Sequence, residues 1–200
     1  MTVNVSIIYY SSTGTTYDLA CAMQTAAQAM DGVNVRFRKA RETAPQEAIE
    51  QNEAWKNHLE ATEYVEEATI DDLEWADVIL LGTPTRFGLP AAQLKSLIDM
   101  AGPLWQEGKL VGKVGSTFMS AATAHGGHET TLVALNNTFY HWGCIIVPPA
   151  YADPIQFQSG TPYGTSFVSN NGELDPDETA LNAAKFQAEH AIKIARKLAD

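Results

Sequence analysis

The chain has 200 residues, of which 45% are hydrophobic, and its 13 basic and 24 acidic side chains give a formal net charge of −11. A chain this acidic lacks the basic surface that nucleic acids and anionic membranes require, so the composition excludes both as partners. No apolar run approaches the roughly 20 residues that cross a bilayer. The length suits a single domain, residues 1–200, with its own hydrophobic core.

Two cysteines, Cys21 and Cys144, lie far apart in apolar surroundings. Their number and spacing indicate neither a disulfide framework nor a metal site, so both are expected to be buried thiols in a reducing compartment. The first basic residue is Arg36, which leaves no charged start for a signal peptide. The sequence therefore predicts a cytoplasmic location.

Taken in chain order, five short runs of β-branched or apolar residues indicate strands. They occupy residues 3–10, 33–38, 77–82, 113–119 and 144–149. Runs that are apolar almost throughout are typical of a parallel sheet that is covered on both faces.

Helix-like segments alternate with these strands. Four of them occupy residues 15–30, 91–100, 129–140 and 176–198. Alternating strands and helices form βαβ units with right-handed crossovers. The sequence therefore predicts an α/β fold built on a doubly wound sheet.

Two stretches depart from this alternation. Residues 41–70 are polar and acidic, with a helix expected around 46–60, and are most simply a solvated acidic face. Residues 149–175 are rich in glycine and proline and show no helical period. A loop insertion of that length in a compact domain is usually functional, as a lid or an interface.

The first strand runs into a loop of small hydroxylated residues around one glycine: Ser11, Ser12, Thr13, Gly14, Thr15 and Thr16. A strand–turn–helix junction leaves N–H groups free at the helix N-terminus, where they bind anions together with the helix dipole. The loop has neither the lysine of a nucleoside-triphosphate loop nor the GxGxxG of a dinucleotide fold. It favours a monophosphate held without a metal, and an ordinary N-cap is the alternative.

The third strand ends in a loop that suits a flat ring with polar edges. Its residues Pro84, Thr85, Arg86, Phe87 and Gly88 offer backbone amides, a hydroxyl, a cation and an aromatic ring. Ligands of open α/β sheets bind outside the carboxyl ends of the strands, where the strand order reverses. The alternative is a stiff connector that carries an exposed arginine.

The fourth strand ends in small residues that allow a ligand to approach the backbone closely. The residues expected to line the ligand here are Ser120, Ala121, Ala122, Thr123, Gly126 and Gly127. His125 and His128 have a spacing found in metal sites, but no third ligand is evident nearby, so no metal is predicted.

Together these segments resemble a known family. SSTGTT, GTPTRFG, the pair Leu104-Trp105, the HWG at His141 and the GTPYG at 160–164 occur in the order found in the WrbA-type NAD(P)H:quinone oxidoreductases. The resemblance covers nearly the whole chain. It implies a flavodoxin-like fold, with a five-stranded parallel sheet of order 2-1-3-4-5 and helices on both faces.

The resemblance also implies roles for individual residues. It places the phosphate of flavin mononucleotide (FMN) on the 11–16 loop, the flavin ring on the 84–88 loop, and the 120–127 loop along the flavin. It further implies that His141 faces the cofactor and that Trp105 lines the pocket where substrates stack. From the residues alone, Trp105 either packs under its own turn or walls a planar ligand, and His141 is a helix cap, a core histidine or a functional group.

The activity that the resemblance implies is FMN-dependent reduction of quinones by NAD(P)H. The nucleotide would reduce the bound cofactor and leave before a quinone enters the same pocket, a ping-pong order that delivers two electrons and forms a hydroquinone. The family forms tetramers with active sites near subunit contacts, so a homotetramer is expected.

Two other functions remain open at this point. A flavodoxin-like single-electron carrier would use the acidic surface to dock a protein partner. A flavin-poor scaffold or regulatory protein would keep the fold without the cofactor, because function resides in the site rather than in the fold.

Overall fold

The computed structural model describes residues 2–199, and it confirms the predicted α/β class, with helices on both faces of one sheet. The strands of this part of the chain are β1 (Val3–Tyr9), β2 (Val33–Lys39), β3 (Val78–Arg86), β4 (Leu89–Pro90), β5 (Val114–Ala121), β6 (Ile145–Ile146) and β7 (Ser166–Val168).

The helices match the sequence prediction best where they are long. The described residues form α1 (Thr15–Gln28), α2 (Gln46–Glu50), α3 (Glu53–Ala61), α4 (Ile70–Trp75), α5 (Ala92–Met100), α6 (Gly102–Gln106), α7 (His128–Trp142), α8 (Pro154–Ser159) and α9 (Glu178–Ala199). The four expected long helices are α1, α5, α7 and α9. The helix expected around 46–60 is divided into α2 and α3, and three short helices, α4, α6 and α8, are additional.

The predicted strand order is matched only in part. The path through the sheet is β2-β1-β3-β5-β6, in which every contact is parallel, and it reads 2-1-3-4-5 when β4 is left out. Two short strands lie off this path: β4 pairs antiparallel with the end of β3, and β7 pairs parallel with β5. The expectation of five strands, all parallel, is therefore wrong in the strand count and at β4.

Each central strand contributes to a core on both sides of the sheet. Ile7 of β1 and its partner Leu80 of β3 belong to the cluster under α1 and α9, whereas Ile8 and Leu81 belong to the cluster under α5 and α7. Successive strand residues point to opposite faces, so an apolar run without polar interruption is buried on both. The run of apolar residues in β3 thus places its carboxyl end between two packed layers.

The expected fifth strand is shorter than predicted and is continued by a separate segment. β6 pairs only with Val114 and Gly115 at the start of β5, whereas β7 pairs with Met119–Ala121 at its end. The segment between them contains α8, so residues 149–175 are more regular than their composition indicates. The interruption brings the residues after β7 to the same edge of the sheet as the ends of β1, β3 and β5.

A buried glutamine attaches this inserted segment to the core. Gln187 of α9 accepts the N–H of Thr165 at 2.7 Å and donates to Ser116 Oγ at 2.8 Å and to the Thr117 carbonyl at 2.7 Å. A Cβ on Gly164 would lie 2.1 Å from that same Thr117 carbonyl oxygen, so only glycine permits this approach. The last glycine of the GTPYG sequence therefore has a packing role. No helix between residues 2 and 199 is long and apolar enough to span a membrane.

Candidate functional site

A cavity of about 400 Å³ lies at the carboxyl ends of β3 and β5, next to the segments that follow β1 and β7. Its volume falls in the range of roughly 300–1,000 Å³ that small-molecule and cofactor sites occupy. The residues that line it are Ser11, Ser12, Thr13, Thr15, Thr16, Asn52, Ala54, Pro84, Thr85, Arg86, Ser120, Ala121, Ala122, Ser169, Asn171 and Gly172. The cavity thus lies where parallel strands end, as the sequence predicts.

The 11–16 loop has the geometry of an anion-binding helix start. Gly14 adopts a φ of 110° and precedes α1, and its N–H donates to Ser11 Oγ at 3.1 Å. No side chain among residues 2–199 caps the N-terminus of α1, so its first N–H groups are free to bind a ligand in the cavity that Thr15 and Thr16 line. The hydroxyls of Thr16 and Ser120 are 2.8 Å apart and join the first loop to the end of β5.

Arg86 is the one charged side chain among the described residues that line the cavity. Its guanidinium donates to Ser12 Oγ at 3.2 Å and to the Thr85 carbonyl at 3.1 Å, so it joins the 84–88 loop to the 11–16 loop. A planar guanidinium with five N–H donors can retain one such contact while it donates to a phosphate or a ring carbonyl.

Thr85 and two glycines hold the 84–88 loop against the 120–127 loop. The Thr85 hydroxyl donates to the Gly126 carbonyl at 3.2 Å and accepts the N–H of Gly88, also at 3.2 Å. Gly127 has a φ of 93°, and a Cβ there would lie 2.8 Å from the Gly88 Cα. The two loops therefore meet through glycine, and the width of the cavity depends on that contact.

The structure brings together most of the predicted cofactor-binding residues and separates others from the cavity. Those predicted residues that do not line it are Gly14, Phe87, Gly88, Thr123, Gly126, Gly127, Trp105 and His141. The glycines shape the loops instead. Phe87 adopts a left-handed φ of 55° and its side chain is fully exposed to solvent, whereas its neighbour Arg86 lines the cavity.

Trp105 and His141 lie at the other end of the molecule from the cavity of their own chain. Trp105 is in α6, which follows α5, and α5 starts beside β3's carboxyl end and runs back toward the amino edge of the sheet. His141 is in the last turn of the 15-residue α7, which begins at the 120–127 loop. At about 1.5 Å per residue, that helix carries it roughly 20 Å away. Both side chains are exposed.

Two walls of the cavity come from segments in which the sequence analysis named no site residue, although it expected the 149–175 loop to be a lid or an interface. Asn52 and Ala54 lie at the start of α3, where Asn52 Oδ1 accepts the N–H of Trp55 at 3.0 Å as an N-cap. On the other side lie Ser169, Asn171 and Gly172. The sequence Ser-Asn-Asn-Gly at 169–172 is a turn signal, but nothing in it indicates a position next to β5.

A single carboxylate holds the α3 wall in place. Glu42 Oε2 accepts Tyr10 Oη at 2.9 Å and Trp55 Nε1 at 3.0 Å, while Oε1 accepts Gln93 Nε2 at 2.7 Å. Oε1 also accepts the N–H groups of Thr43 and Ala44, both at 2.9 Å. Burial opposes ionisation of Glu42, but these hydrogen bonds outweigh it and lower the pKa of the carboxyl.

His58 packs behind the phosphate-type loop. Its ring lies 5.4 Å from that of Tyr17, and its Nδ1 lies 3.8 Å from where a Cβ on Gly14 would be. Burial, and to a smaller extent the charge of Lys39, lowers the pKa of His58. A neutral imidazole here supports the loop without adding a charge to the cavity.

The donors of the cavity fit FMN. The lining combines a helix N-terminus, several hydroxyls and one guanidinium, which suits a phosphate, and it combines a proline, alanines and backbone carbonyls, which suit a flat ring. Within residues 2–199 no group of three or more His, Cys, Asp and Glu side chains is placed to hold a metal ion. His128 is instead buried, with Nε2 at 3.2 Å from the Thr123 carbonyl oxygen.

Comparisons with known proteins agree in fold and in the family they indicate. A family model described as NADPH-dependent FMN reductase matches residues 3–158. The chain is 43% identical over 197 residues to an NAD(P)H dehydrogenase (quinone) of Deinococcus radiodurans, covering 98% of this chain and 97% of that one. It is 40% identical over 200 residues to a protein of the same description from Acidithiobacillus ferrooxidans, covering 97% and 98%.

A solved structure has the same fold at lower identity. The WrbA-like flavodoxin of Agrobacterium tumefaciens superimposes with a TM-score of 0.66 at 22% identity, and the match covers 98% of this chain and 99% of that one. The whole length of the chain therefore has counterparts in proteins of this architecture.

Proposed function

The chain belongs to the NADPH-dependent FMN reductase family, and from this premise we propose that it is an FMN-dependent NAD(P)H:quinone oxidoreductase. The resemblance to the WrbA-type family, first stated from short motifs, is confirmed by relatives that match the chain almost from end to end. The observation that carries the proposal is the cavity at the strand ends, whose lining has the donors that FMN needs and, among the described residues, only one charged side chain.

When bound, FMN supplies the redox chemistry, taking a hydride from NAD(P)H and passing two electrons to a quinone. The protein would bind and orient the cofactor. The N–H groups at the start of α1 and the hydroxyls of the 11–16 loop would hold the phosphate, and Arg86 would balance negative charge in the cavity. Pro84, Thr85 and Ala121 would bound the ring and keep water from part of it.

The nucleotide and the quinone are proposed to use one opening in turn. The cavity at the strand ends would serve both substrates, so the oxidised nucleotide would leave before the quinone enters. Initial rates measured against both substrates should then give parallel lines in a double-reciprocal plot. Intersecting lines would contradict the shared opening.

We propose that a homotetramer completes the active site. In one chain Trp105 and His141 lie at the far edge of the sheet from the cavity, so either could reach a cofactor only in another subunit. Large apolar side chains are exposed at both ends: Phe87 and Leu89 beside the cavity, and Trp105 and Tyr140 at the far edge. Contact between these two surfaces would place a stacking tryptophan and a histidine from a second copy over the cavity.

A cytoplasmic location and a single domain spanning 1–200 are also proposed. In residues 2–199 both cysteines are free, which suits a reducing compartment, although Cys21 and Cys144 are half-buried rather than fully buried as expected. The single sheet, with its helices on both faces, supports the one-domain assignment.

The experiment that tests the function is a visible absorption spectrum of the purified protein after FMN is added and the excess is removed by gel filtration. Stoichiometric retained flavin, followed by NAD(P)H-dependent reduction of a simple benzoquinone, is the expected result. Retained flavin without turnover would favour an electron carrier. Absence of retained flavin would overturn the assignment and favour a flavin-poor scaffold.

A further inference from the structure

The wall of the cavity formed by residues 169–172 is fixed to the end of β5 by its backbone. The N–H of Ser169 donates to the Ala121 carbonyl at 2.8 Å, and the N–H of Asn171 donates to the Ala122 carbonyl at 3.0 Å. Both acceptors belong to residues that themselves line the cavity. The segment is therefore attached to the 120–127 loop, and Asn171 lies at the cavity surface.

The backbone of this segment is left-handed at three consecutive positions. The φ angles are 48° at Asn170, 58° at Asn171 and 89° at Gly172. For residues other than glycine this region costs about 1–2 kcal/mol, and asparagine tolerates it best. Such conformations persist where surrounding contacts impose them, and they cluster at ligand clamps.

The two asparagines are in the same backbone region but have different surroundings. Asn170 Nδ2 donates to the Glu173 carboxylate at 2.6 Å, and Asn170 is not part of the cavity lining. Asn171 lines the cavity and is exposed, and its side-chain amide has no hydrogen bond to any residue between 2 and 199. An amide with two donors and an acceptor is thus available to a ligand.

The position of the segment indicates which part of a flavin it would meet. Thr16, in the first turn of α1, has its hydroxyl 2.8 Å from that of Ser120, and β7 pairs with β5 at Ser120 and Ala121. The 169–172 segment follows β7 directly and therefore lies beside the helix start that is suited to the phosphate. Because Arg86 is the one cation among the described residues of the lining, a phosphate dianion here needs neutral donors as well.

We propose that the Asn171 side-chain amide binds the ribityl-phosphate chain of FMN, which makes residues 169–172 a fourth cofactor loop. The inference rests on the proposed function, since it assumes that FMN is the occupant. FMN would then have a contact beyond those of the 11–16, 84–88 and 120–127 loops, and this contact depends on the pairing of β7 with β5.

The test compares Asn171→Gly with Asn170→Gly. Both substitutions replace an asparagine at a positive φ by glycine, which adopts that backbone freely, so both chains should fold. Apoprotein is titrated with FMN and, separately, with riboflavin, and dissociation constants are read from quenching of flavin fluorescence. We expect Asn171→Gly to weaken FMN binding about tenfold, equivalent to about 1.4 kcal/mol, and Asn170→Gly to change it less than twofold.

The titrations separate the inference from the function on which it rests. A loss for FMN alone assigns the contact to the phosphate, and an equal loss for riboflavin assigns it to the ribityl hydroxyls. The role of Asn171 is overturned, with the function left intact, by either of two results in a protein whose wild type binds FMN. One is an FMN dissociation constant of Asn171→Gly equal to that of the wild type, and the other is a loss of FMN affinity in Asn170→Gly as large as that in Asn171→Gly. A wild-type apoprotein that binds no FMN overturns both.

Discussion

The 11–16 loop and the 169–172 segment form two walls of one cavity but are specified in different ways. The first is six consecutive residues at the junction of β1 and α1, so its chemistry is determined locally. The second becomes a wall only because β7 pairs with β5, which brings Ser169 to Ala121 across 48 positions of sequence. Local sequence thus sets which ligand chemistry the cavity offers, and long-range pairing sets its shape.

The largest expected effect comes from breaking a long-range contact between loops. Gly127→Ala would place a Cβ 2.8 Å from the Gly88 Cα at a φ of 93°, so the 84–88 and 120–127 loops must separate. We expect FMN affinity to fall about 100-fold, which corresponds to about 2.7 kcal/mol. Titration of the apoprotein with FMN measures the effect.

Gly108→Ala is the matched control for this prediction. Gly108 also has a positive φ, 70°, but a Cβ there would have no neighbour within 4 Å. It therefore reproduces the backbone strain without the collision. Equal losses of FMN affinity in the two variants would show that the contact between the loops is not what sets the cavity.

An intermediate effect is expected from the carboxylate that holds the α3 wall. In Glu42→Gln one oxygen becomes an amide nitrogen. The backbone N–H groups of Thr43 and Ala44 keep the remaining oxygen at the Oε1 position, so Trp55 Nε1, which donates to Oε2, loses its acceptor. Loss of charge-assisted hydrogen bonds of this kind costs about 2 kcal/mol of unfolding free energy. FMN affinity should fall several-fold, because Asn52 and Ala54 would no longer be held against the cavity.

The effect of Glu42→Gln should depend on pH in a defined direction. The folded-state pKa of Glu42 lies below its ordinary value of 4.5. Its stabilising contribution is therefore fully present above pH 4.5 and is lost as the pH falls through the lower folded value. Urea unfolding at a series of pH values should show the difference between variant and wild type shrinking below pH 4.5. Exposed Glu47→Gln is the control, and a difference independent of pH would contradict the role of the charge.

The smallest effect is expected from a change at Asp18, which lies in the first turn of α1 and interacts with the charge of Asp175. Burial, and then the charge of Asp175, raises the pKa of Asp18 from 3.8 to about 6. The folded protein therefore loses stability as the pH rises from about 4 to above 6, since Asp18 must ionise beside another carboxylate. Asp18→Asn should stabilise the protein at pH 7.5 by about 1 kcal/mol, because solvent screens a half-exposed group. The gain should vanish near pH 4.

Asp71→Asn provides the control for Asp18→Asn. Asp71 also lies in the first turn of a helix, α4, but is exposed, so its substitution changes the same kind of helix-end charge without burial. Thermal unfolding of both variants at pH 4 and pH 7.5 makes the comparison. A gain for Asp18→Asn that is the same at both pH values would show that the carboxylate pair is not the cause.

The sequence predicted the fold better than it predicted the boundaries of the site. Continuous apolar runs, in which neighbours such as Ile7 and Ile8 pack on opposite faces, alternate with helices in the sequence. That pattern was sufficient to predict a doubly wound sheet. It was insufficient for the fifth strand, because Ile145 and Val168 pair with opposite ends of β5 around an inserted helix. Short strands of two or three residues carry too little periodicity to be recognised.

Within the site, residues at the carboxyl ends of strands were predictable and residues brought in by tertiary contacts were not. Ser12 follows β1, Arg86 ends β3 and Ala121 ends β5, and all three line the cavity. Phe87 is next to Arg86 in sequence, yet it has a left-handed backbone and its side chain is fully exposed. The pattern of residues in this loop does not indicate that difference between neighbours.

The sequence by itself determined the kind of chemistry at the strand ends: hydroxyls and free N–H groups at a helix start, one arginine, and a lining of small residues. These properties belong to consecutive residues and follow from composition and chain direction. The tertiary structure alone decided that Glu42 would bind α3 to this edge, that the 169–172 segment would close it, and that Trp105 and His141 would lie at the opposite edge. Those outcomes depend on packing between distant segments, which the local pattern of residues does not encode.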